Sequence, residues 1–427
     1  MVVLVLGSGA REHALVRTLL DDDGVDTVVA APGNPGIAAE PGASCRAIDP
    51  TDPAAVVALA DELRPSLVVV GPEAPLVAGV ADALRAASYD VLGPSAEAAR
   101  LEGSKAFAKE VMAAAGVPTA LAHVCTTDAE VTDALDAFGA PYVVKEDGLA
   151  AGKGVVVTDD RDAALEHARA CLARPGGRVV VEEYLDGPEV SVFCVSDGTS
   201  VVALPPAQDF KRVGDGDAGP NTGGMGAYSP LDWAPADLAE QVLARVAQPT
   251  VDEMRRRGTP FVGVLYVGLA LTSRGMRVVE FNVRFGDPDG QVSLARLRTP
   301  LGRLLTAAAT GTLDELGPLR VSPDAAVTVV LAAPGYPAAP TTGGPLTGLD
   351  EAAAVDGAWV LHAGTRLDRD ALVSAGGRVL GVVATGGTLA AARTTAYDAL
   401  SRIHLDGGHH RTDIALAAER GEIAPAS

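Results

Sequence analysis

Val143-Val144-Lys145-Glu146-Asp147-Gly148-Leu149-Ala150-Ala151-Gly152-Lys153-Gly154-Val155 is the stretch that decides the fold. An apolar run ends in Lys145, a loop of small residues follows, and a second run rich in valine leaves from Gly154, which reads as strand–loop–strand. Small residues let backbone N–H groups approach phosphate oxygens, and a lysine ammonium suits a phosphate as a compact point charge. The segment is not a P-loop. Only Leu149, Ala150 and Ala151 separate Gly148 from Gly152-Lys153, Gly154 stands where a magnesium-binding Ser or Thr belongs, and a strand rather than a helix follows.

Around this centre, residues 104–310 form one unit. It contains a helix at Lys105–Ala115 and strands at Tyr142–Lys145, Gly154–Val157, Val179–Glu183 and Val190–Val195. A glycine-rich stretch at 214–226, a helical segment at about 236–257 and strand-like runs at Phe261–Leu271 and Arg277–Phe281 complete it. Upstream, short apolar runs at Val2–Leu6, Thr27–Ala30, Leu67–Val70 and Val91–Leu92 alternate with helical stretches near 12–20, 53–64 and 77–87. That is the pattern of a doubly wound parallel sheet, whose ligands bind at the carboxyl ends of the strands. Downstream, residues 325–427 read as a small α/β unit after a linker near 310–323.

Gly7-Ser8-Gly9 after the first strand invites a dinucleotide reading. Glu12 stands where a third glycine belongs, and the second strand ends Val28-Val29-Ala30-Ala31-Pro32 without the acid that would take a ribose. A single phosphate at the loop and helix N-terminus, with Arg11 beside it, fits better.

The chain has 427 residues, enough for two to four domains, and its 48% hydrophobic content suits a globular enzyme. A formal charge of −21 opposes nucleic acid and anionic membrane, so a phosphate-bearing ligand needs a local basic pocket. No apolar run is long enough to span a bilayer, and Met1–Leu6 leads straight into a glycine loop rather than a cleavage site. Cys45, Cys125, Cys171 and Cys194 are widely spaced, as in a reduced, cytoplasmic protein. Only Lys105, Lys109, Lys145, Lys153 and Lys211 are lysines among the 34 basic residues, which makes their placement in or beside glycine loops informative.

A strand lysine, a glycine loop between strands and an acidic pair on a later strand resemble the ATP-grasp fold. Longer strings are similar to the phosphoribosylamine–glycine ligase family. They include Gly9-Ala10-Arg11-Glu12-His13, Ala31-Pro32-Gly33-Asn34, Gly71-Pro72-Glu73-Ala74-Pro75 and Leu101-Glu102-Gly103-Ser104-Lys105. Further along come Gln208-Asp209-Phe210-Lys211, Asn221-Thr222-Gly223-Gly224-Met225-Gly226 and Glu280-Phe281-Asn282-Val283-Arg284-Phe285-Gly286-Asp287-Pro288. The likeness is collinear over nearly the whole chain. Glu146, Phe210, Asp289-Gly290 and Pro300 depart from the family's usual residues.

The resemblance implies an α/β protein in three parts: a substrate domain at 1–103, an ATP-grasp domain of two α+β lobes at 104–310 with a mobile lobe at about 118–190, and a C-terminal domain at 320–427. It implies ATP-dependent ligation of glycine to 5-phosphoribosylamine through a glycyl phosphate, by a monomer. ATP would meet Lys105, Lys145, Gly148, Gly152, Lys153 and Gly154, with Glu182, Glu183 and Leu185 at the adenine hinge and Glu189 or Glu183 on the ribose. Glu280 and Asn282 would bind Mg2+ or Mn2+. Alternation sets both on one face of their strand. Substrate contacts would come from Gly9, Arg11, Asn34, Glu73, Asp209, Lys211, Asn221 and Gly286. Arg284, Lys145 and Asp287 would be catalytic, Arg284 holding the glycine carboxylate. The loops 148–154 and 214–226 would act as lids that exclude water. Another ATP-grasp ligase, a nicotinamide-dependent oxidoreductase and a non-catalytic nucleotide sensor are the competing readings.

Overall fold

The computed structural model describes residues 1–149 and 154–424. At the N-terminus five parallel strands lie in the order Ala43–Cys45, Thr27–Pro32, Val2–Gly7, Leu67–Val70, Val91–Leu92. Successive side chains of the central strands go to opposite faces, and both faces are covered. Leu4, Leu6, Val68 and Val70 join a core with Val56, Leu59, Val80 and Leu84. Val3, Val5, Val28 and Val69 join another with Ala14, Leu15, Leu19, Leu304 and Leu305. A continuous apolar run is what a strand buried on both faces requires. Part of the second cover comes from far along the chain, from helix Leu301–Thr310. The strand order reverses on either side of Val2–Gly7, so the crevice between the Gly7 and Gly71 loops is the topological switch point.

Four antiparallel strands form the next sheet, in the order Ala122–Cys125, Val179–Glu182, Tyr142–Glu146, Val155–Thr158. Helices Asp128–Phe138 and Arg161–Leu172 cover it and share a separate core of Cys125, Val131, Leu135, Val144, Ala168 and Val181. Residues 183–188 carry no regular structure and lead into a second antiparallel sheet. Its order is Val201–Ala203, Glu189–Asp197, Val262–Thr272, Gly275–Asn282. The helical segment read at 236–257 is continuous but changes pitch: Leu238–Val242 is α, Leu243–Ala247 is a π turn, and Gln248–Arg256 is α again. Pro249 has no N–H to offer the preceding turn, and a π turn accommodates that loss.

The C-terminal strands Ala325–Ala332, Arg378–Gly386 and Ala358–His362 extend a sheet that begins with Gln208–Asp209 and Gly226–Ser229. The glycine-rich region is therefore bonded edge-on to the C-terminal unit. Among the described residues no helix is long and apolar enough to cross a membrane.

Candidate active site

Lys145, the last residue but one of its strand, has its ammonium buried between the two antiparallel sheets. Its Nζ lies 2.9 Å from Glu182 Oε2 and donates to the carbonyl of Val279 at 3.0 Å. Val279 belongs to the strand Gly275–Asn282, so the lysine reaches from one sheet to the other. Alternation sends Glu146 the opposite way, where it pairs with Arg174. Lys105 starts its helix and donates to the carbonyl of Gly148 at 3.0 Å. Asp147 anchors the same loop. It accepts from Ser104 Oγ at 3.0 Å and Ala106 N at 3.2 Å, and pairs with Arg178 at 2.7 Å. Gly148 adopts φ 144°, open to glycine alone. Gly154 accepts from Glu146 N at 2.7 Å. Gly152 and Lys153, also expected on ATP, lie outside the described residues.

Glu280 is the focus of the charges. Burial would raise its carboxyl, but Lys211, Lys145, Lys105 and Arg284 outweigh that and hold it below the usual carboxylate range. Asn282 follows on the same face. With its amide turned to satisfy both ends, its nitrogen donates to Glu102 Oε1 at 3.2 Å and to the Phe281 carbonyl at 3.3 Å. Among the described residues no group of three or more His, Cys, Asp or Glu side chains is arranged to hold a metal. A pair of hard oxygens on one strand face, beside four cations suited to phosphate, fits magnesium, which keeps several waters and takes oxygens from substrate phosphates.

Arg284 joins this strand to the N-terminal unit. It meets Glu102 Oε1 at 3.0 Å and Glu73 Oε2 at 3.4 Å. Glu102 also accepts from Val283 N at 2.8 Å, and burial pushes its carboxyl up despite Arg284. Glu73 goes the other way: Arg284 and Arg11 outweigh burial and keep it low. Arg11 spends its Nε on Glu12 at 2.6 Å and reaches the carbonyl of Phe285 at 3.3 Å. Lys211 pairs with Glu189 at 2.5 Å. Asp209 beside them is pushed up to about 7 by burial and by Asp289, Glu189 and Glu280, with Lys211 opposing. Asp289 is likewise raised by burial. A Cβ on Gly286 would collide with the Asp289 carboxylate, so a side chain there would have to displace it.

Several residues expected at the site commit their polar atoms to the scaffold. Gly9 N donates to Glu12 Oε2 at 2.6 Å, so the glycine loop is capped by its own helix. Asn34 donates to the carbonyls of Ser8 and His362, each at 2.9 Å, and accepts from Ile37 N at 2.9 Å. Glu183 takes Leu121 N at 3.0 Å and Arg274 at 2.9 Å, which leaves Glu189 as the more available acid beyond the hinge. Leu185 is half-buried in the connector. Asp287 accepts from Gln291 at 2.7 Å and pairs with Arg378 at 3.0 Å. Arg378 also bonds the Gly223 carbonyl at 2.6 Å and so ties the glycine-rich loop to Asp287. Asn221 ends the small strand Ala218–Asn221, paired with Arg212. Phe210 packs on Tyr228 and under the Arg411 guanidinium.

Glu102, Lys109, Asp147 and Arg378 carried no assigned role in the sequence, yet each holds a charged or loop element of the site. The signal for Lys109 was there in its spacing, one helical turn beyond Lys105 on the same face.

Family models match the chain in three blocks: the N domain of phosphoribosylglycinamide synthetase at residues 1–102, its ATP-grasp (A) domain at 103–290 and its C domain at 326–417. The chain is 66% identical to phosphoribosylamine–glycine ligase of Streptomyces coelicolor over 98% of its own length and 99% of that protein. It is 58% identical to the protein of that name from Leifsonia xyli, over 98% and 100%. In structure it is similar to phosphoribosylamine–glycine ligase of Thermotoga maritima, with a TM-score of 0.84 at 32% identity over 97% of this chain and 100% of that one.

Proposed function

The chain belongs to the phosphoribosylglycinamide synthetase family, and from that premise we propose how its side chains share the reaction. It is an ATP-dependent ligase that joins glycine to 5-phosphoribosylamine in purine biosynthesis, yielding glycinamide ribonucleotide, ADP and phosphate. The carboxylate of glycine attacks the γ-phosphorus of ATP, and the bond to ADP breaks. The amine of phosphoribosylamine then attacks the acyl carbon, loses a proton, and expels phosphate.

Phosphoryl transfer needs positioning and charge neutralisation more than a nucleophilic side chain. Lys145 and Lys105 meet the phosphates from one side, with Gly148, Gly152, Lys153 and Gly154 supplying the loop. Glu182–Leu185 forms the adenine hinge, and Glu189 takes the ribose. Glu280 and Asn282 would hold magnesium or manganese, which when bound would supply neutralisation of phosphate charge. Arg284 orients the glycine carboxylate beside Gly286. Asp287 acts by fixing Arg378 and the loop around Gly223. Asp209, Lys211 and Asn221 contact the phosphoribosyl group from the hairpin side, and Gly9, Arg11, Asn34 and Glu73 frame it from the N-terminal crevice. The reading extends to a monomer in the cytoplasm, in keeping with four free cysteines and the acidic surface.

The carrying observation is the reach of Lys145 across to Val279, beside Glu280, at 3.0 Å, where the charges of Lys211, Lys145, Lys105 and Arg284 keep Glu280 ionised. Incubation of the purified chain with ATP–Mg, glycine and freshly formed phosphoribosylamine, followed by mass spectrometry, tests it. Glycinamide ribonucleotide should appear in step with ADP; ADP formed only with a different carboxylate and amine would assign the chain to another ligation.

A further inference from the structure

Glu182 lies between two lysines. Its Oε2 meets Lys145 at 2.9 Å, and its Oε1 meets Lys109 at 3.1 Å. The side chains of Lys145, Glu182 and Lys109 are 5%, 3% and 12% exposed, so water screens the triad little. An ammonium has three N–H donors. Lys109 uses all three on the protein: Glu182, Thr119 Oγ1 at 2.8 Å and the Ala120 carbonyl at 3.0 Å. Among the described residues Lys145 uses two, on Glu182 and the Val279 carbonyl. Among these residues one donor of Lys145 is thus left for a ligand, and Lys109 has none to give.

The charge count makes the same division. A lone Lys145–Glu182 pair would be neutral, and its field at a phosphate correspondingly weak. With Lys109 on the other oxygen the triad carries a net positive charge. Thr119 Oγ1 in turn donates a hydrogen bond to the Val278 carbonyl at 2.7 Å, which ties the anchor to the strand that carries Glu280.

We propose that Lys109 is a positioning residue for ATP. By occupying one oxygen of Glu182 it leaves the charge and the third N–H of Lys145 available to the phosphates. This rests on the reading that Lys145 faces the ATP phosphates, and the experiment separates the two.

Binding of ATP–Mg and of adenosine to the full chain is measured by calorimetry for the wild type, Lys109→Gln, Lys109→Arg and Lys145→Met, with thermal melting in parallel. Lys109→Gln keeps hydrogen-bond donors and removes the charge. It should weaken ATP about tenfold, the size of one charge-assisted contact, and leave adenosine unchanged. Lys109→Arg should recover most of the loss. Unaltered ATP affinity in Lys109→Gln, equal losses for ATP and adenosine, or no recovery in a folded Lys109→Arg would each overturn the proposal. If Lys145→Met itself binds ATP normally, the phosphate role of Lys145 fails and the proposal falls with it.

Discussion

Lys145 Nζ stands 3.0 Å from the carbonyl oxygen of Val279, the residue before Glu280. One hydrogen bond thus joins the strand that carries Lys145 to the strand that carries Glu280. On the proposed reading, a triphosphate along this seam would meet ammonium groups on one side and hard oxygens on the other. That is the arrangement phosphoryl transfer to a carboxylate needs.

Replacing Lys145 by methionine removes an ammonium that spans both sheets. Turnover should fall by about 100-fold or more, the range for deleting a preorganised charge at the reacting group. Glu182 keeps Lys109 as its partner, so the fold should survive. ADP release at saturating glycine, with circular dichroism as the control, reads the outcome. A rate within a few fold of the wild type would remove Lys145 from the mechanism.

Glu280→Gln deletes the carboxylate whose charge the fields of Lys211, Lys145, Lys105 and Arg284 stabilise. On the proposed reading it also removes one of the two side chains that would hold a divalent cation. The magnesium concentration for half-maximal ADP formation should rise about tenfold or more. An unshifted magnesium titration would place the metal elsewhere.

Arg284→Met leaves Glu102 and Glu73 facing each other without their common cation. Breaking a buried pair from one side costs about 3 kcal/mol or more, and the partial exposure of Glu73 sets this case near the lower end. Urea denaturation should show that loss, while Arg284→Lys should retain more stability but raise KM for glycine. A methionine variant as stable as the wild type would mean that Glu102 finds its partners elsewhere.

The junction of the N-terminal and C-terminal units predicts an acid response. His362 is pushed down to about 4 by burial first and by His13 second, against an ordinary value of 6.5. Its backbone N–H donates to His13 Nδ1 at 2.8 Å. The unfolded chain binds a proton that the folded chain refuses, so stability is complete above pH 6.5 and is lost as pH falls toward 4. The contribution is at most roughly 3 kcal/mol. Denaturation midpoints between pH 7 and pH 4 should fall less steeply in His362→Gln. Identical slopes would assign the acid loss to other groups.

Much of this was legible in the chain itself. Long valine runs mark the central strands because buried strands need apolar side chains on both faces, and Lys145, Glu280 and Asn282 stand out as polar residues near the ends of such strands. Ala43–Cys45 was not legible, being three residues long with no apolar run. Nor was the packing of helix Leu301–Thr310 under the first sheet, or the bonding of Gly226–Ser229 to Ala325–Ala332. Periodicity reports which face of an element is apolar, not which distant element covers it. The same limit explains Asn34 and Gly9. Their motifs are plain, but that their polar atoms are taken by Ser8, His362, Ile37 and Glu12 depends on where the chain returns. Glu146 beside Lys145 is the opposite case, since strand alternation already sends it to the far face.

Isotope transfer from glycine labelled with 18O in its carboxylate tests the central claim most directly. If the carboxylate is activated at the Lys145–Glu280 seam by taking a phosphoryl group from ATP, one labelled oxygen per turnover must leave in inorganic phosphate. Phosphate free of 18O, with labelled glycinamide ribonucleotide still formed, would mean that no glycyl phosphate exists and that the seam grips ATP for some other purpose.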